Sequence, residues 1–227
     1  MSSRMSALTL LFVLSTMPAI MAQQPSSQSS ISQMSISALL ECAANDSCNG
    51  SNWDIADELR RRLSVHRLIE LYPQQNARVK MVIVDALYTA RGTEVESLMR
   101  NAAFSGLQPG RTDEDNHYYP LQYLAKLCDQ RALKELNRPE NYEDSYPISC
   151  MQWQATLATF GKCGYKPAIP LLAENLDDAC VNNIVVAEGS LRKLIPKSKC
   201  WKKAGLDGNF RAESDCYVSE YRAESHP

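Results

Sequence analysis

Eight cysteines carry the most reactive side chains of this 227-residue chain: Cys42, Cys48, Cys128, Cys150, Cys163, Cys180, Cys200 and Cys216. Thiols can ligate a metal, attack an electrophile or pair with one another, and their spacing discriminates among these uses. No CxxC pair and no HExxH occurs, and the only histidines are His66, His117 and His226, so the usual zinc spacings are missing. Cys163 with His66 or His117 is conceivable as nucleophile and base, but an even cysteine count in an exported chain favours half-cystines. No G-x-S-x-G elbow, P-loop or G-x-G-x-x-G run is present either. The expectation is a protein without catalytic residues, metal or cofactor.

Two inserts concentrate acidic and aromatic side chains. RTDEDNHYY (111–119) holds Asp113, Glu114 and Asp115 beside Tyr118 and Tyr119, and NYEDSY (141–146) holds Tyr142 and Tyr146. Projected from one end of a fold they make an acidic aromatic patch suited to a protein partner, because tyrosine combines apolar area with a polar tip. The first insert lacks the D-x-D-x-D-G spacing and closing Glu of a calcium loop. A basic run, LRKLIPKSKCWKK, places Arg192, Lys193, Lys197, Lys199, Lys202 and Lys203 around Trp201; it reads as a solvated polar end. Arg60, Arg61 and Arg62 read as the outer face of a helix. Sequons at Asn45 and Asn49 crowd around Cys48 and read as coincidence. With 24 basic and 26 acidic residues the chain is close to neutral, which argues against nucleic acid as a partner.

The start, MSSRMSALTLLFVLSTMPAIMAQQ, has one positive charge at Arg4, an apolar run from Ala7 to Met21, and a small residue at Ala22. That order is a signal peptide over residues 1–22, so the mature chain is expected to be exported, periplasmic or secreted. The run is interrupted by Ser15, Thr16 and Pro18 and falls short of the roughly 20 apolar residues of a membrane span. No later stretch is apolar enough to cross a bilayer. Residues 23–36, rich in Gln and Ser, read as a flexible leader.

The rest is helical by period. In ARVKMVIVDALYTA (77–90), Val79, Val82, Ile83, Ala86, Leu87 and Ala90 fall on one helical face. Asn76 is placed to cap it, Gly92 to take the left-handed conformation after it, and Thr93 with Glu96 to form a capping box for a second helix to about Phe104. The hairpin recurs as HYYPLQYLAKLC turning at Asp129 into QRALKELN. It recurs again as CMQWQATLATFGKC turning through Gly164 into PAIPLLAENL, with Pro167 in a first turn, and residues 179–195 supply a further first helix. Leu87, Leu124, Phe160 and Leu191 hold corresponding places roughly 31 to 37 residues apart. Residues 52–73 read as a degenerate hairpin capped by Asn52 and Ser64, and SISALLECAA (35–44) as an end cap.

Phe160, Gly161, Cys163, Gly164, Ala168, Ile169, Pro170 and Leu172, followed by Asp177 and Asp178, resemble the short HEAT-type repeat of phycobilin-lyase-like proteins. The resemblance implies an all-α fold: a right-handed α-solenoid of about four to five hairpins over residues 37–196, with a disulfide-tethered tail at 197–227. Chromophore-lyase activity, known for some relatives, has no visible site here. Repeat phase pairs Cys128 with Cys163 and Cys150 with Cys180, and short spacing pairs Cys42 with Cys48 and Cys200 with Cys216. The expected function is a protein–protein interaction scaffold with an unspecified protein partner. The alternatives are an inhibitor or immunity-like protein against an extracytoplasmic enzyme, or an enzyme whose dispersed residues leave no motif.

Overall fold

The computed structural model describes residues 31–47, 50–105, 117–138, 150–177, 181–203 and 210–225. Among them every regular element is helical, and no strand occurs. In chain order the helices are α1 (Ile36–Asn45), α2 (Asn52–Arg62), α3 (Val65–Leu71), α4 (Ala77–Leu87), α5 (Thr93–Phe104) and α6 (Tyr118–Lys126). They continue as α7 (Gln130–Leu136), α8 (Cys150–Lys162), α9 (Ile169–Glu174), α10 (Val181–Leu194) and α11 (Arg211–Ser225).

Local chemistry sets the boundaries. Ser64, Asn76 and Asp129 each accept a hydrogen bond from the third residue beyond, satisfying a backbone donor that the first helical turn leaves open. Two expected caps are displaced. At α2 the cap is Ser51, not Asn52, and Asp54 returns its carboxylate to the Ser51 N–H to close a capping box. At α5 the cap is Gly92, with φ 133° and ψ 157°, and no side chain closes it. That region is open to glycine almost alone; the reversal there places Thr93 inside the helix, one residue too late to cap. The left-handed turns fall instead at Asp46 (φ 53°), Cys128 (φ 62°) and Gly164 (φ 65°). Pro167 lies in a short 3-10 turn, Lys166–Ala168, and Pro170 occupies the first turn of α9.

Helix α2 packs on α4, α4 on α6, α6 on α8 and α8 on α10, while α5 packs on α6 and α9 on α10. Helix α3 likewise packs on α5, and α9 on α11. One continuous core runs through them, and Leu87, Leu124, Phe160 and Leu191 within it are all fully buried. At about 25 cal/mol per Å² of apolar surface removed from water, each such side chain contributes roughly 1.5–3 kcal/mol. Helices α8 and α10 approach closely at Gly161, where an added Cβ would stand 2.7 Å from the Ser190 Cα.

The ends differ from expectation. Residues 31–36 are not part of a flexible leader: Ile31, Met34 and Ile36 pack against the core, and the Arg62 guanidinium binds the carbonyls of Ser32 and Met34. Beyond Pro196 the chain is more than a tether, because α11 packs along α9 and buries Tyr217. Cys128 is bonded to Cys163 and Cys200 to Cys216, with Cα separations of 5.3 and 5.5 Å. Cys42 is also in a disulfide, and no free cysteine occurs among the described residues. Cys48, Cys180 and the side chain of Cys150 lie outside the described residues. No helix is long and apolar enough to cross a membrane among the described residues.

Candidate functional site

Helix α5 separates two open cavities. One, of about 490 Å³, lies toward α3 and is lined by His66, Ile69, Tyr72, Glu94, Leu98 and Asn101 among others. The second, of about 430 Å³, lies toward α7 and is lined by Ser97, Arg100, Asn101, Phe104, Ser105 and Arg131. Ser97 and Asn101 line both, so the two cavities adjoin along α5, and together they are called the groove.

The two ends of the groove differ in charge. On the α3 side, the His66 ring lies 3.2 Å from Glu70 and 3.8 Å from Glu94. The Arg67 hydrogen bond holds the Glu70 carboxyl below its ordinary range. No hydroxyl bonds to His66 among the described residues, so a Ser–His relay is not assembled there. On the α7 side, the Arg100 Nη1 donates to Asp129 Oδ2 at 2.6 Å, while Asp129 Oδ1 accepts from the Ala132 N–H. The helix cap therefore also aims Arg100 toward α7. Arg131 has its guanidinium carbon 3.9 Å from the Phe104 ring centroid and forms no ion pair among the described residues.

A second polar cluster lies inside the fold, between α4, α6 and α8. The Tyr118 hydroxyl meets Thr156 Oγ1 at 2.9 Å, and Gln122 donates to Tyr118 at 3.2 Å and to Thr156. Tyr88 donates to Gln122 at 3.4 Å and packs edgewise on Tyr119 and Tyr123, while Tyr119 continues edgewise to Trp53. Lys126 lies 4.0 Å from the centre of the Tyr88 ring. Asp85 is buried in α4 with Oδ1 unpartnered, and burial pushes its pKa up to about 7. Burial likewise raises Tyr118 to about 12. These groups join helices through hydrogen bonds and ring packing.

The structure redistributes the residues singled out by sequence. Tyr118 and Tyr119 do not belong to a projecting patch: both sit in the first turn of α6, Tyr118 buried and Tyr119 partly so, because the helix begins before the insert's aromatic end. Asp113, Glu114, Asp115, Tyr142 and Tyr146 lie outside the described residues. Cys163 is a half-cystine and has no thiol to offer, and His117 is buried with Nδ1 2.7 Å from the Ala102 carbonyl. Arg61 and Arg62 do not simply point into water; both clasp Glu58, whose pKa falls to about 2 with the Arg61 hydrogen bond as the main cause. Trp201 is partly exposed and is covered by Arg192 and Lys202. Cys200, Cys216 and Glu220 lie close together, but the two sulfurs are bonded to each other and supply no thiolate to a metal.

The groove residues Ser97, Arg100, Asn101, Phe104 and Arg131 were not among the sequence candidates. Each reads alone as an ordinary helix-surface residue, and only the spacing of α5 and α7 brings them together. No protein-family model, curated protein or solved structure matches this chain.

Proposed function

We propose that the chain is an exported helical-repeat scaffold that binds another protein in the groove along α5. The observation that carries this reading is the pair of cavities that share Ser97 and Asn101, which offers a mixed polar and apolar surface on both sides of α5. Contacts of α2 with α4, α4 with α6, α6 with α8 and α8 with α10, and of α3 with α5 and α9 with α11, support a HEAT-like stacking of hairpins, for which the proposed hand is right-handed. The disulfides support an oxidising, extracytoplasmic location, consistent with removal of residues 1–22 on export. The partner is a folded or extended protein segment, and the scaffold acts by holding it.

A photo-cross-linking side chain at position 97 tests this, with a second probe at the exposed Glu41 of α1 as reference. In the extracytoplasmic fraction of the source cells, the probe at 97 is expected to give one discrete adduct. Excess unlabelled protein should compete it away, and an Asn101→Arg variant should not. Adducts of equal yield from both positions, or none at 97, count against the groove.

A further inference from the structure

Resting on the groove reading above, we propose that the cavity between α5 and α7 is a carboxylate receptor that takes an aspartate or glutamate side chain of the bound peptide segment. Its lining is rich in donors: the Arg131 guanidinium, the Arg100 groups not engaged by Asp129, the Asn101 amide, and the hydroxyls of Ser97 and Ser105. Among the described residues no carboxylate lines it, and Asp129 has one oxygen on the α7 cap and the other on Arg100. The cavity thus has unspent positive charge at Arg131.

Arg131 is also held in place. Its guanidinium lies over the Phe104 face, an arrangement that orients the planar fork and leaves its N–H edges open. Such a fork matches a carboxylate in two parallel hydrogen bonds, with less freedom to lose on binding than an unsupported lysine. The volume of about 430 Å³ admits a side chain together with the backbone that carries it.

The other half of the groove selects the kind of ligand. Across Ser97 and Asn101 the surface turns to Glu94, His66, Ile69 and Leu98. A polyanion laid along α5 would bring its next charges against Glu94, which is repulsive. A short acidic segment flanked by apolar or basic residues fits both halves.

The test uses the full chain labelled with nitrogen-15 in its arginines and in its α5 backbone. A blocked peptide, acetyl-Leu-Lys-Gly-Glu-Gly-amide, is titrated at low salt alongside the same peptide with Gln for Glu. The Arg131 and Arg100 Nε–H signals are expected to shift to saturation with the Glu peptide, and the Gln peptide to bind at least about tenfold more weakly. Arg131→Gln is expected to abolish that preference and Arg131→Lys, which keeps the charge but loses the fork, to weaken it several-fold. Full retention of the preference in Arg131→Lys would overturn a fitted receptor in favour of diffuse attraction. Equal binding of the two peptides overturns the receptor. If that equal binding moves the Leu98 side of α5, the groove itself survives. Inorganic phosphate shifting the arginines as strongly as the Glu peptide overturns the carboxylate assignment.

Discussion

Cys128 and Cys163 are bonded across successive helical hairpins with their Cα atoms 5.3 Å apart, although 35 residues separate them in sequence. The bond fixes the end of α6 to the end of α8, where the helices themselves make only limited contact. Closing a loop of that length restricts the unfolded chain, and replacing both cysteines with serine is expected to cost about 3–4 kcal/mol. Urea unfolding of the double variant checks this. A loss below about 1 kcal/mol would mean that packing alone sets the register of the two hairpins.

Asp85 makes stability depend on pH in an unusual direction. Its pKa in the fold, about 7, lies above the ordinary 3.8, so the folded state disfavours the ionised form. Stability is therefore greatest below the unfolded pKa, falls as pH rises between those two values, and levels off above the higher one. Asp85→Asn removes the burden and is expected to stabilise the protein at pH 8 by the order of 2–4 kcal/mol, with little change at pH 4. Urea midpoints across that range should show a slope in the wild type that the variant lacks; parallel curves contradict the prediction.

Gly161 and Gly189 form a matched pair on facing helices. An alanine at 161 places its Cβ 2.6 Å from the Ser190 side chain and 2.7 Å from its Cα, so α8 and α10 must separate. The expected cost is about 1–3 kcal/mol. At 189 nothing lies within 4 Å, and Gly189→Ala is expected to be neutral or to gain up to about 1 kcal/mol from helix propensity. Thermal melts of the two variants should move in opposite directions, or at least only the first should fall.

Arg62 fastens the N-terminal turn. It binds Glu58 and the carbonyls of Ser32 and Met34. Arg62→Ala is expected to leave global stability within about 1–2 kcal/mol of wild type while the backbone of residues 31–36 exchanges hydrogen faster. Hydrogen-exchange mass spectrometry reads this directly, and unchanged protection of that segment would show that Ile31 and Ile36 hold it unaided.

The helical pattern was legible because burial imposes it on composition. Val79, Val82, Ile83 and Leu87 recur at helical spacing, and all are buried on the one face that the period assigns them. Helix α11 was not legible for the same reason inverted: RAESDCYVSEYRAES is mostly polar, and it buries Glu213 and Tyr217 only because α9 offers a flank to cover. Tyr118 and Tyr119 follow an acidic run and so read as surface, yet the helix starting at Tyr118 turns them inward. The cation pair Arg100 and Arg131 comes from separate hairpins, and no local window of sequence contains both. Cross-strand or cross-helix sites of this sort become visible only once neighbouring elements are placed.

Helix α11 and the Cys200–Cys216 bond also close off one flank of the fold. The helix lies along α9 and is clamped to the chain immediately before it, so the side of α9 that it covers is withheld from solvent. Reduction of that one bond would leave α11 held to α9 by packing alone, so that Tyr217 and the flank of α9 could be laid bare.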